Sequence, residues 1–112
     1  MAGHLRIWEF TVAPGCHAEF EAMYGPDGDW AALFRQSPGF MGTTLLRDRT
    51  SEDRYLTIDR WESELAWRTF RSSLAALYEA LDLRGETLTV AEREIGEFGE
   101  ALGPRDRWRG DG

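Results

Sequence analysis

Three side chains on one predicted strand have the types and spacing needed for acid–base chemistry. Thr57, Asp59 and Trp61 alternate along residues 54–61, so they share one face of that strand. A carboxyl group held among apolar neighbours has a raised pKa and can accept a proton from a bound substrate. Asp59 is therefore the candidate proton acceptor; the alternative is a carboxylate paired with an arginine or exposed near the sheet edge.

Two tryptophans mark the corner where this strand becomes a helix. The apolar spacing changes from period 2 to period 3.6 at Trp61-Glu62-Ser63 with no loop between, and Trp67 follows one turn into the helix. The corner is either a packed hinge or one wall of a pocket. If it is a pocket wall, the candidate catalytic residues are Asp59, Trp61, Trp67 and Thr57.

Aromatic and charged side chains of other segments extend the proposed pocket. On the strand over 4–12, Arg6 and Trp8 share a face with His4, and we expect that face beside Asp59. Arg6 could then steady a substrate anion. An aromatic cavity with a few polar groups is typical of a small-molecule site. The candidate substrate-binding residues are Trp8, Arg6, Trp30, Phe34 and Phe70.

The elements that position these residues follow from periodicity and from Pro/Gly breaks. Strands are predicted over 4–12, 40–48, 54–61 and 86–98. Helices are predicted over 17–24, 30–36 and 63–83. The order βαββαβ is the ferredoxin-like arrangement of an α+β fold, with a four-stranded antiparallel sheet. One domain over 4–98 is expected, followed by a disordered tail over 99–112.

The helix boundaries are predicted from individual residues. Asp29 is placed to cap the helix over 30–36, Ser63 to cap the long helix, and Gly85 to stop it. The long helix has an apolar side whose members are spaced 3, 4, 3 and 4 residues apart: Trp67, Phe70, Leu74, Leu77 and Leu81.

The sheet face turned away from the helices is too apolar to be left in water. It carries Leu5, Ile7, Leu56 and Ile58, and a chain of 112 residues has no further element to cover them. A second copy packed sheet to sheet would cover them, so we expect a homodimer with two-fold symmetry.

Composition narrows the possible partners and the location. A net charge of −7 argues against nucleic acid and anionic membranes. A single cysteine, Cys16, favours a reduced, cytoplasmic setting. His17 and Glu21 are spaced like metal ligands but lack a third, so no metal site is expected.

Two segments resemble a known family. SPGFMGTTLLRD (37–48) and YLTIDRWESELAW (55–67) are similar to the antibiotic biosynthesis monooxygenase domains of the dimeric α/β-barrel group, and the resemblance covers about residues 4–98. It implies a dimeric α/β barrel. It also implies a cofactor-independent monooxygenase that acts on an aromatic or polyketide-like small molecule and needs no cofactor. A non-catalytic ligand-binding barrel and an isomerase or cyclase on the same fold remain alternatives.

The resemblance also carries over to single positions. In the cofactor-free oxygenases of this family an Asn, a Trp and a Tyr line the pocket, and the matching positions here are Thr57, Trp61 and Trp67. Of these three family residues, only the Trp is present at its matching position in this chain, as Trp61. The haem-degrading branch needs a His on the main helix, and residues 63–83 contain none. The resemblance therefore disfavours haem degradation.

Overall fold

The computed structural model describes residues 3–101 and contains one antiparallel sheet with helices on one face. The spatial order of the strands is β2-β3-β1-β4. This layout confirms the predicted α+β, ferredoxin-like fold. Most of the predicted tail lies outside the described residues. The strands are β1 (His4–Val12), β2 (Phe40–Arg47), β3 (Arg54–Trp61) and β4 (Thr89–Phe98).

Four helices connect the strands, two in each crossover. They are α1 (His17–Tyr24), α2 (Asp29–Phe34), α3 (Glu64–Ser73) and α4 (Ala75–Glu86). The bounds of β1, α1 and β3 agree with the prediction. The last strand starts at Thr89 rather than at residue 86, because α4 extends to Glu86. Ser63 caps α3 as expected, since its hydroxyl oxygen accepts the backbone N–H of Ala66 at 3.0 Å.

The prediction of one long helix over 63–83 was wrong. The helix breaks at Leu74, whose φ of −118° and ψ of 32° are not helical. Ser72 precedes the break and donates its hydroxyl to the carbonyl of Thr69, and such local bonds weaken and bend helices. The break rotates the apolar side, so that Tyr78 packs on the core. Leu77, which was expected there, is 51% exposed.

The predicted roles of Gly85 as the helix stop and of Asp29 as a helix cap were wrong. Gly85 lies inside α4, which continues to Glu86. A Cβ at Gly85 would collide with the Tyr24 hydroxyl. Gly28, not Asp29, holds the N-cap position of α2, and a Cβ there would collide with the carbonyl oxygen of Ala22. Both glycines therefore permit close approach to α1.

Strand alternation divides the sheet into a helix-covered face and an outer face. In the register of β1 with β3, Arg6 lies opposite Asp59 and Trp8 lies opposite Thr57. On the other side of β3, Thr43 is the partner of Asp59. All five side chains face the helices, so the pairing brings polar groups from three strands beneath the helices.

Within residues 3–101, no helix has both the length and the apolar character needed to cross a bilayer.

Candidate active site

A cavity opens between the sheet and the helices. Its volume is about 50 Å³, which is room for a few water molecules. A substrate with several fused rings can therefore bind only if side chains of the cavity wall move. The wall is formed by Trp8, Phe10, Tyr24, Trp30, Phe34, Thr43, Thr57, Asp59, Asp82 and Glu92.

Asp59 lies on the cavity wall beside Thr43. Thr43 donates its hydroxyl to Asp59 Oδ1 at 2.8 Å. Burial raises the pKa of Asp59 to about 6, while the hydrogen bond from Thr43 and the charge of Arg6 act against that rise. Such a carboxylate is ionised at neutral pH and is basic enough to accept a proton from a bound acid.

The guanidinium of Arg6 is held by other groups and does not form part of the cavity wall. It lies 3.2 Å from a carboxylate oxygen of Glu94 and 3.1 Å from one of Glu97. Its Cζ is also 4.1 Å from the centre of the Trp67 ring, a cation–π contact. Arg6 therefore acts on Asp59 through its charge, without a hydrogen bond between the two.

Three of the predicted site residues, Trp61, Trp67 and Phe70, form an aromatic cluster beside the cavity and are absent from its wall. Trp61 is fully buried, with its ring 5.7 Å from that of Trp67 and 5.1 Å from that of Phe70. It also meets Phe34 edge-on at 5.5 Å. The strand–helix corner is thus closely packed, and it supports Phe34 from behind. A catalytic role for Trp61 or Trp67 stays a prediction.

Trp8, Trp30 and Phe34 do line the cavity. The buried indole N–H of Trp30 has no hydrogen-bond partner within residues 3–101. The Tyr24 hydroxyl is close to it but outside hydrogen-bonding geometry. An unpaired buried donor is costly, so Trp30 is suited to donate to an oxygen atom of a ligand.

Five wall residues were not foreseen as site residues. Phe10 and Thr43 could have been found from strand parity, since they share a face with Asp59. Tyr24 was expected only as an apolar residue of α1; burial raises its pKa to about 12, so its hydroxyl is neutral. Asp82 and Glu92 carried no sequence signal, because their positions depend on the helix break and on the register of β4.

A second group of polar side chains lies at the opposite end of β3. His17 Nε2 is 2.7 Å from Asp53 Oδ1, and Tyr55 donates its hydroxyl to Glu21 at 2.5 Å. His17 and Glu21 therefore have separate partners. No group of three potential metal-binding side chains occurs in the part of the chain that the structure describes.

Comparisons with known proteins agree on one family. The sequence model for the antibiotic biosynthesis monooxygenase family matches residues 4–77. The deoxynogalonate monooxygenase of Streptomyces nogalater is 33% identical over 103 residues, covering 88% of this chain and 84% of that protein.

Solved structures give the same result. The crystal structure of SnoaB, a cofactor-independent oxygenase from Streptomyces nogalater, has a TM-score of 0.75 and 26% identity, and the match covers 93% of this chain and 98% of that one. A Bordetella bronchiseptica protein with a TM-score of 0.73 is 22% identical, over 91% and 100% of the two chains, and shows the fold alone. The chain belongs to the antibiotic biosynthesis monooxygenase family.

Proposed function

We propose that this protein is a cofactor-independent monooxygenase that oxidises an aromatic or polyketide-like small molecule in the cavity beneath the helices. The observation that carries the proposal is the position of Asp59, a carboxylate with a raised pKa on the wall of an aromatic cavity. The similarity to a cofactor-independent oxygenase supports the same reaction class.

The reaction begins with proton transfer to Asp59. An electron-rich phenol or enol, such as an anthrone, loses a proton to the carboxylate and becomes an anion. The anion gives one electron to O2, and the resulting substrate radical and superoxide combine to form a peroxide. Loss of water from the protonated peroxide leaves a new carbonyl group. One oxygen atom of O2 enters the product, the other leaves as water, and the substrate supplies all four electrons.

The wall residues hold the substrate for this step. Trp8 and Phe34 provide apolar surfaces for a flat ring system. The free N–H of Trp30 and the hydroxyl of Thr57 supply polar contacts to substrate oxygens. Trp61 acts indirectly by keeping Phe34 in place. Excluding water from this space favours electron transfer to O2 over competing protonation.

Oxygen uptake with an anthrone substrate tests the proposal. Asp59→Asn keeps the shape of the side chain but removes the base, and we expect the rate to fall by about 10²-fold or more. Asp27→Asn is the matched control, because Asp27 is exposed and lies away from the cavity wall; it should match wild type. Equal rates for wild type and Asp59→Asn would remove Asp59 from the mechanism.

The same cavity suits one other reaction class, an isomerase or cyclase. Asp59 as base and the neutral hydroxyl of Tyr24 as acid share its wall. Such a reaction would proceed without O2, so turnover under nitrogen distinguishes it from oxygenation. Binding without turnover in either atmosphere would instead support a non-catalytic ligand-binding protein.

We also propose that the active form is a homodimer. On the outer sheet face, Leu5, Ile7, Leu56 and Ile58 are only half-buried in the single chain. Leu46 and Phe98 are exposed. A second copy packed on this face would cover these side chains and leave the cavity on the opposite face of each sheet accessible.

A further inference from the structure

The arginine that lies opposite Asp59 is paired with other carboxylates. Arg6 is the register partner of Asp59 on the neighbouring strand, and both side chains face the helices. The Arg6 side chain is only 10% exposed, and a buried guanidinium requires a nearby anion. Two glutamates of β4 supply it, because Glu94 lies 3.2 Å and Glu97 3.1 Å from the guanidinium nitrogens.

An irregularity in β4 allows both glutamates to reach Arg6. Residues three apart on a regular strand point to opposite faces of the sheet. The pairing of β1 with β4 skips Ile95, which is therefore an extra residue on β4. This extra residue brings Glu94 and Glu97 to the same face. Each carboxylate then contacts a different terminal nitrogen of Arg6.

Two further side chains hold this ion-pair group in place. The buried ring of Trp67 covers the guanidinium from α3, with the Cζ of Arg6 4.1 Å from the ring centre. His4 Nε2 lies 3.1 Å from the other oxygen of the Glu97 carboxylate. Arg6 is thus held toward β4, and within residues 3–101 the side chain of Asp59 accepts a hydrogen bond from Thr43 alone.

The position of the guanidinium decides how strong a base Asp59 is. A guanidinium in contact with an Asp carboxylate lowers the pKa of that group by about 1–3 units. Such a contact would cancel much of the rise that burial produces in the pKa of Asp59, and it would occupy an oxygen that must accept the proton. At its actual position Arg6 acts through its charge alone, and the effect of burial is larger.

Other titratable groups also surround Asp59. Three of them share the cavity wall with it: Tyr24, Asp82 and Glu92. From α4, Tyr78 lies near enough for the charges of Arg6 and Asp59 to act on its pKa. Burial raises the pKa of both tyrosines, so both are neutral at pH 7. Arg71 of α3 lies over the Tyr78 ring, 4.0 Å from its centre. Among these neighbours, Arg6 is the one whose charge acts on the pKa of Asp59.

We propose that Glu94 and Glu97 are positioning residues, which hold the guanidinium of Arg6 away from Asp59 and so keep this carboxylate free to act as the base. The inference rests on the proposed function for the use of that base. The positioning itself is a property of the folded protein and can be measured without any turnover.

An NMR titration of the Asp59 carboxyl carbon tests the inference, with the signal identified by its loss in Asp59→Asn. In Glu94→Gln/Glu97→Gln we expect the pKa of Asp59 to fall by about one unit or more, because a neutral amide holds a guanidinium less strongly than a carboxylate does. The acidic limb of kcat/KM should move downward with it. The charge-matched control Glu19→Gln/Glu52→Gln removes two exposed carboxylates near the other end of β3 and should leave the pKa unchanged.

Arg6→Gln separates positioning from a direct effect of the two negative charges. In this background the changes at Glu94 and Glu97 should lower the pKa of Asp59 by less than half as much as they do when Arg6 is present. If the double glutamate variant does not fold, Glu94→Gln alone should give a smaller fall in the same direction.

Two results overturn the inference: a pKa of Asp59 that the glutamate changes do not lower, or an equal fall with and without Arg6. The expected fall in pKa without oxygen consumption by any anthrone has a different meaning. It would refute the monooxygenase proposal and leave the positioning of Arg6 intact.

Discussion

Three interactions that act in opposite directions set the pKa of Asp59. Burial raises its pKa, while the hydroxyl of Thr43 and the charge of Arg6 stabilise the ionised form and lower it. The result, a pKa of about 6, lies above the ordinary value of 3.8. The ionised carboxylate therefore destabilises the folded protein above pH 6. This cost decreases as the pH falls from 6 to 3.8 and is absent below 3.8, where the group is protonated in both states.

Thr43→Val tests this balance because it removes the hydrogen bond with little change of shape. The pKa of Asp59 should rise further, since the lost bond stabilised the carboxylate. We expect the acidic limb of the profile of kcat/KM against pH to move upward by about one unit. Activity should fall several-fold at pH 6 and change little at pH 8.

The control for this prediction lies on the same strand. Thr44→Val is the same substitution on the outer face, where the Thr44 hydroxyl accepts from Arg60 at 2.9 Å. It should leave the acidic limb in place. If Thr43→Val leaves the acidic limb where it is in wild type, a group other than Asp59 titrates in catalysis.

At the scale of elements, the sequence predicted the strands better than the helices. β1 and β3 were located correctly because period-2 alternation ends at clear breaks. The break at Leu74 was missed because the apolar spacing continues through it. Within the site, the alternation of side chains along β3 was enough to predict that Thr57 and Asp59 lie on the same face of that strand.

The remaining part of the site depended on information that local pattern does not contain. Asp82 reaches the wall only after the helix break changes the face of α4. Glu92 lies opposite Phe10, but the pairing of β1 with β4 shifts register at two points of β1, between Ile7 and Trp8 and between Thr11 and Val12. Irregularities of this kind change which side chains face the helices, and they are set by tertiary packing.

The contact between α4 and α1 gives a prediction at this scale. Ala has a higher helix propensity than Gly by about 1 kcal/mol, so an unhindered Gly85→Ala would stabilise α4. At this buried position the new Cβ would collide with the Tyr24 hydroxyl, and overpacking costs about 1–3 kcal/mol. We expect a lower free energy of unfolding in urea.

Tyr24→Phe provides the matched test of the cause, because it removes the oxygen that the new methyl group would meet. The double variant Gly85→Ala/Tyr24→Phe should be more stable than the two separate changes predict. If Gly85→Ala alone matches or exceeds the stability of wild type, α4 moves away from α1 at little cost, and Gly85 is not required for the contact.

At the scale of the whole molecule, the two faces of the sheet differ in what covers them and in composition. The helices cover one face and enclose the cavity. The outer face combines apolar residues at its centre with an ion-pair group on one side, in which Glu9 contacts both Arg54 and Arg93. Four strands of about eight residues give a surface of roughly 500 Å² per copy, or about 1,000 Å² for a pair, near the lower limit for a specific interface.

The homodimer can be tested at the centre of this surface, where Ile7 and Ile58 lie opposite each other. Light scattering should give wild type a mass of twice the 12.8 kDa chain. Ile58→Glu places a charge in the apolar interface, and we expect it to yield folded monomers at micromolar concentration. Leu65→Glu is the control, because Leu65 is 72% exposed on α3 and away from the outer face. A monomeric wild type, or a variant at Ile58 that still dimerises, would mean that the outer face is not the interface between copies.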